Sequence, residues 1–235
     1  MAERKTQQTQ NLPSERTCGF ESHSPHQVFN VELPDCAAQP SDPSACVAPD
    51  GLGPGYSYLL GLYLGDGMLT KLPKNVWRLR IFQDSRYTEL VRRCGTAIWA
   101  VSDLLPKRVS TAGCTEIYSL WKHWICLVPQ HGPGPKHLRA MRLADWQSRL
   151  VAHYPQEFIK GLVHSDGCRV VNRVQRRRYE YVRYFFWNHS DEIRQLFVDA
   201  CSQIGVESRP SNRYQISVAK RDSVAILESF IGPKR

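Results

Sequence analysis

Apolar residues recur at i, i+3 and i+4 in two stretches a hundred positions apart: Leu59, Leu62 and Tyr63, then Ile159, Leu162 and Val163. That spacing predicts two helices, each with one apolar face. Gly61 and Gly161 fall inside those faces, where glycine costs about 1 kcal/mol relative to alanine and the usual reason for it is close approach of a second helix. The two helices are therefore expected to pack on each other. Beyond them the period changes to two, over Val76-Trp77-Arg78-Leu79-Arg80-Ile81-Phe82-Gln83 and over Tyr181-Val182-Arg183-Tyr184-Phe185-Phe186-Trp187-Asn188, which predicts strands. Helical runs follow at 86–101 and 190–204, then short strands at 116–119 and 214–218 and helices beginning near Lys122 and Lys220. The same order, αββαββα, is thus read twice. It implies an α+β fold of two pseudo-symmetric halves, each an antiparallel sheet with helices on one face and the other face open to a ligand.

The halves are expected at 55–128 and 155–235. Residues 1–54, rich in Gln, Ser, Pro and Thr and without an apolar period, read as a disordered or loosely attached segment. Pro129-Gln130-His131-Gly132-Pro133-Gly134-Pro135-Lys136-His137 is too broken by Pro and Gly for helix or strand, so 129–154 reads as a linker that includes a helix over 145–153.

Each apolar helix ends in Asp-Gly, Asp66-Gly67 and Asp166-Gly167. The glycines suit left-handed C-terminal caps, but an aspartate there sets negative charge at the negative end of the helix dipole, unfavourable by roughly 0.3–1 kcal/mol. A bound cation reverses that sign. Two carboxylates meeting at adjacent helix ends suit a hard divalent ion, Mg2+ or Mn2+, and the hydrolysis of a phosphodiester. Gln83 and Asn188 occupy matching places at strand ends, and Lys122 and Lys220 also match each other; a lysine near phosphate would offset developing charge. Polar residues at plain strand-to-helix turns account for both pairs equally well.

Charge adds a partner class. Residues up to Gly55 carry three basic against seven acidic side chains, a net of −4, which leaves about +13 on the rest of a chain whose formal charge is +9. Arg78, Arg80 and Arg183 alternate with aromatic and apolar residues, and Arg169, Arg173, Arg176, Arg177, Arg178 and Arg183 crowd one short stretch. A solvated face explains a few such arginines, but a region this basic is the footprint of a nucleic-acid backbone. The eight cysteines show no C-x-x-C spacing and fit a reduced compartment. Cys126, His131 and His137 lack a fourth partner and make a poor zinc site. With no signal-like apolar segment and no membrane-length run, an intracellular, cytoplasmic protein is expected.

At Leu59 to Gly67 and Ile159 to Gly167 the chain resembles the LAGLIDADG homing endonucleases in their single-chain, two-motif form, from about Tyr56 onward. It departs from the family pattern at the sixth motif position, Leu64 and His164, and at the second, Leu60 and Lys160. The resemblance implies a monomeric, site-specific double-strand DNA endonuclease with metal on Asp66, Asp166 and the carbonyls of Gly65 and Ser165. It further implies that Gln83 and Asn188 order the attacking water, and that Arg176 to Arg178 sit in a DNA-reading loop. Two other roles known among such proteins stay open: an RNA-binding intron-splicing maturase, and a catalytically silent DNA-binding transcription regulator. Both aspartates are present, and a sequence running only to Pro233-Lys234-Arg235 is expected to lack a helix-turn-helix module, which favours the enzyme.

Overall fold

The computed structural model describes residues 51–174, 179–232 and 234. Arg176, Arg177, Arg178 and residues 1–50 lie outside the described residues, and so do the expectations placed on them.

The repeat read in the sequence is the repeat of the fold. In the first half α1 (Pro54–Asp66) leads into β1 (Gly67–Lys71) and β2 (Trp77–Asp84), then α2 (Thr88–Ser102), β3 (Lys107–Thr111), β4 (Cys114–Trp121) and a single-turn α3 (Trp124–Leu127). In the second half α5 (Pro155–Asp166) leads into β5 (Gly167–Val174) and β6 (Tyr179–Trp187), then α6 (Asp191–Gln203), β7 (Arg209–Asn212), β8 (Gln215–Val218) and α7 (Arg221–Phe230). The sheets have the orders β1-β2-β4-β3 and β5-β6-β8-β7, and every neighbouring pair is antiparallel. Between the halves lies α4 (Asp145–His153), at the residues expected to be helical. The helix expected from Lys122 shrinks to α3, whereas its counterpart α7 has ten residues.

Strand alternation puts Leu79, Ile81 and Ile117 of the first sheet, and Tyr184, Phe186, Ile216 and Val218 of the second, under the helices. Phe186 stacks on Phe197 of α6 with ring centroids 4.6 Å apart. Helix α6 starts where a capping serine permits it, with Ser190 Oγ accepting from the Ile193 amide and acidic Asp191 and Glu192 in the first turn.

The axis of the molecule is the pair α1 and α5. A Cβ added to Gly61 would lie 2.5 Å from the Phe158 carbonyl oxygen and 2.8 Å from the Leu162 nitrogen. One added to Gly161 would lie 2.3 Å from the Tyr58 carbonyl oxygen. Backbone meets backbone at both glycines, as their placement inside apolar faces implied. The expectation of one apolar face holds for α5 but not for α1, where every residue from Tyr56 to Leu64 is buried. Helix α1 is covered by α5 on one side and on the other by the residues joining the halves: Tyr56 Oη donates to the Leu127 carbonyl and accepts from Gln147 of α4. Among the described residues no helix is long and apolar enough to cross a membrane.

Candidate active site

Both motif helices stop without a left-handed cap. Gly67 (φ −92°, ψ 154°) and Gly167 (φ −95°, ψ 160°) are extended, and their amides close the helices onto the Tyr63 and Val163 carbonyls. The left-handed caps expected at Gly67 and Gly167 are absent, and the need for glycine has another cause. The chain turns straight into β1 and β5, so a Cβ would sit 2.4 Å from Tyr63 Cα or 2.6 Å from Val163 Cα. The helix ends then cross: a Cβ at Gly65 would overlap Ser165 Oγ at 2.2 Å and come within 3.0 Å of Asp166 Oδ2. Two half-buried aspartates from the two halves are thereby brought to one place.

Each aspartate is held by an amide from its own sheet. Gln83 Nε2 donates to Asp66 Oδ2 at 3.3 Å, and Asn188 Nδ2 donates to Asp166 Oδ2 at 2.7 Å. The Asn188 side chain is further fixed because its Oδ1 accepts from the Ser190 amide at 2.8 Å. Gln83 and Asn188 thus make matching bonds in the two halves, each amide orienting a carboxylate.

The lysines differ from the expected pair. Lys122 is exposed, and exposed Lys220 is paired with Glu207. The ammonium groups at the motif ends belong to Lys136 and Lys234. Lys136 Nζ donates to the carbonyls of Tyr63 and Gly65, the latter at 2.7 Å, while Lys234 Nζ donates to those of Ser165 at 3.2 Å and Gly167 at 2.6 Å. Burial holds the Lys136 ammonium down at about 8 against the opposing pull of Asp166 and Asp66. The sequence did carry a signal for both: Gly134-Pro135-Lys136 and Gly232-Pro233-Lys234 are the same tripeptide, and Gly134 (φ 76°) and Gly232 (φ 70°) take the same left-handed turn. The stretch read as a linker at 129–154 thus places a residue in the site.

His164, at a motif position where the first copy has the buried Leu64, spans three elements. Its Nε2 lies 3.1 Å from the Ile231 carbonyl oxygen and its Nδ1 2.9 Å from Tyr58 Oη. A carbonyl only accepts, so Nε2 carries the proton and Nδ1 accepts from the tyrosine. Burial, then the charge of Lys234, hold the imidazole down at about 3, hence neutral. The substitution His164→Leu would strand the Tyr58 hydroxyl and the Ile231 carbonyl and is expected to destabilise the protein by about 2 kcal/mol or more. His164→Gln, which can still donate, should recover part of it. Urea unfolding of both variants measures this, and equal midpoints for the His164→Leu variant and the parent chain would contradict the assigned bonds.

The arginines divide. Arg78, Arg80 and Arg183 lie on the open faces of the sheets. Arg169 instead pairs with Tyr184 across the strands, on the helix side, and bonds Glu228 of α7 at 2.6 Å. Arg173 lies opposite Glu180 and pairs with it at 2.7 Å. Neither shares the open face with Arg183.

The donor set at the motif ends, two carboxylates with the Gly65 and Ser165 carbonyls beside them, is all hard oxygen and fits Mg2+. Among the described residues no group of three or more His, Cys, Asp or Glu could hold a metal, so neither a zinc-type site nor a third acidic ligand is present there. Any further coordination would fall to water and substrate oxygens.

No protein-family model matches the chain, and no curated protein does. Solved structures do. The homing endonuclease I-WcaI bound to its DNA recognition sequence is 10% identical, with 77% of this chain and 81% of that one covered and a TM-score of 0.50. Mesophilic variants of the homing endonuclease I-DmoI are 17% identical over 77% and 96% of the two chains, with a TM-score of 0.49. The N-terminal LAGLIDADG domain of DUF199/WhiA is 12% identical over 77% and 84%, with a TM-score of 0.44. At these identities the likeness concerns the path of the chain.

Proposed function

We propose that this chain, which has the two-motif LAGLIDADG fold, is a monomeric, metal-dependent, site-specific endonuclease of double-stranded DNA. The observation that carries the reading is the doubled constellation at the crossing of α1 and α5: an aspartate and its orienting amide from each half, with Lys136 of the connecting stretch at one motif end and Lys234 at the other. A duplex offers two scissile phosphates related by an approximate dyad, and the fold offers two equivalent sets of groups. Asp66 and Asp166 would hold the ion; the Gly65 and Ser165 carbonyls beside them accept from Lys136 and Lys234. When bound, Mg2+ supplies Lewis-acid activation of water and of the phosphate oxygens. Gln83 and Asn188 keep the carboxylates aimed, and the Lys136 and Lys234 ammonium groups stand where charge on a phosphate or a departing oxygen would be offset. Magnesium-dependent conversion of a plasmid bearing a selected target from supercoiled to linear form tests the reading. A parent chain that binds its target but never cuts it with any divalent ion would make it a silent DNA-binding regulator, and preferential binding of intron RNA would make it a maturase.

The open sheet faces and a basic remainder of about +13 favour phosphate contacts. The logarithm of duplex affinity is expected to fall with log salt at about −0.9 per phosphate neutralised. Fluorescence anisotropy between low and moderate salt measures the slope, and a slope near zero would remove nucleic acid as the partner.

A further inference from the structure

The two open sheet faces are chemically unlike. Aligning Gln83 with Asn188 sets Arg78 against Arg183, Arg80 against Phe185 and Phe82 against Trp187. On the first sheet one carboxylate ties two guanidinium groups: Glu116 accepts from Arg80 at 2.8 Å and from Arg78. Arg78 is stacked on Tyr118 with its guanidinium carbon 3.9 Å from the ring centroid, and Arg80 lies 4.9 Å from that of Phe82. Both arginines remain about a quarter exposed, whereas Glu116 is 12% exposed. Burial raises the carboxyl's pKa, but the hydrogen bonds and charges of Arg80 and Arg78 together leave it below the ordinary value. On the second sheet Tyr181 and Trp187 are exposed, and Arg183 lies between the rings of Tyr181 and Phe185 at 5.8 and 5.7 Å. Among the described residues no ion pair joins Arg183 to an acid.

A phosphate offers only acceptors, so a carboxylate set between two arginines weakens a phosphate contact. A G·C pair is different. In the major groove guanine offers two acceptors, O6 and N7, and cytosine a donor, N4; arginine suits the first and glutamate the second. A guanidinium already held by a carboxylate and a ring has less freedom to lose on reading a base. The rings of the second sheet match instead the C5 methyl group of thymine, the apolar mark of an A·T pair in that groove.

We infer that the halves read chemically different half-sites: Arg78, Glu116 and Arg80 recognise G·C pairs, and Tyr181, Phe185 and Trp187 recognise thymine methyl groups. This rests on the duplex-DNA reading above. The test selects duplexes from a randomised pool on the full chain in Ca2+. One end of the selected site should be rich in G·C and the other in A·T. In that site, 7-deazaguanine at the first end should weaken binding roughly tenfold, and deoxyuridine for thymine at the other end several-fold. Arg80→Ala should reduce sensitivity to the first analogue and keep the second, with Phe185→Ala doing the reverse. Half-sites of like composition, or analogue effects that the parent chain does not show, would overturn the inference while leaving the endonuclease reading intact. Failure to retain any duplex would overturn both, and the absence of a salt slope would show that it is the DNA reading that failed first.

Discussion

Alanine at Gly61 or Gly161 is expected to lower the melting temperature by about 10 °C, the opposite of what helix propensity alone gives. In an exposed helix the change would add about 1 kcal/mol of stability. Here the new methyl group would stand 2.5 Å from the Phe158 carbonyl oxygen at position 61, or 2.3 Å from the Tyr58 carbonyl oxygen at 161. Those are backbone atoms of the facing helix and cannot rotate aside. The helices must separate, loosening contacts around Leu62 and Leu162, both fully buried. Overpacking of this kind costs about 3 kcal/mol or more, and in a domain of this size each kcal/mol moves the midpoint by roughly 2–4 °C. Thermal unfolding followed by circular dichroism decides it. A variant melting at or above the parent temperature would show that α1 and α5 do not touch at these glycines.

The same glycines explain why so much of the fold was legible. A duplicated unit writes each element twice, so the period-two and period-3.6 stretches checked one another, and Gln83 and Asn188 were found by their common place in the copies. What the sequence hid was what the copies do not share or what depends on long-range approach. The all-round burial of α1 follows from Tyr56 meeting Leu127 and Gln147, contacts 71 and 91 residues away in the chain. Gly67 and Gly167 looked like left-handed caps because Asp-Gly commonly is one; their requirement comes instead from strands that start against Tyr63 and Val163. Lys122 and Lys220 match because a strand-to-helix turn is a natural seat for lysine, whereas Lys136 and Lys234 reach the motif ends from 71 and 69 residues downstream of the carbonyls they bind. The repeated Gly-Pro-Lys beyond the last helix of each copy is their mark in the sequence. Arg169 shows the converse case: a positive cluster in sequence is split by strand alternation, which turns this arginine to the helices and Glu228.

Asp66→Asn and Asp166→Asn are each expected to abolish most double-strand cleavage while leaving duplex binding in place. Each carboxylate ends a helix whose dipole opposes it, and each accepts from one amide, Gln83 or Asn188. Asparagine relieves the dipole conflict, about 0.3–1 kcal/mol, and its carbonyl oxygen can still accept from that amide, so the fold should tolerate the change. It cannot replace a negatively charged oxygen ligand for a hard divalent ion. Because each half supplies its own aspartate and amide, a single variant should leave nicked rather than linear plasmid as its residual product, and the double variant neither. Supercoiled target plasmid in Mg2+ gives the readout, with Ca2+ as the binding control and Lys136→Met and Lys234→Met alongside. The lysine variants should slow cutting by removing charge that offsets the phosphate, whereas the aspartate variants should raise the metal concentration required in whatever cutting survives. A double aspartate variant that linearises plasmid as fast as the parent would remove these carboxylates from the chemistry altogether.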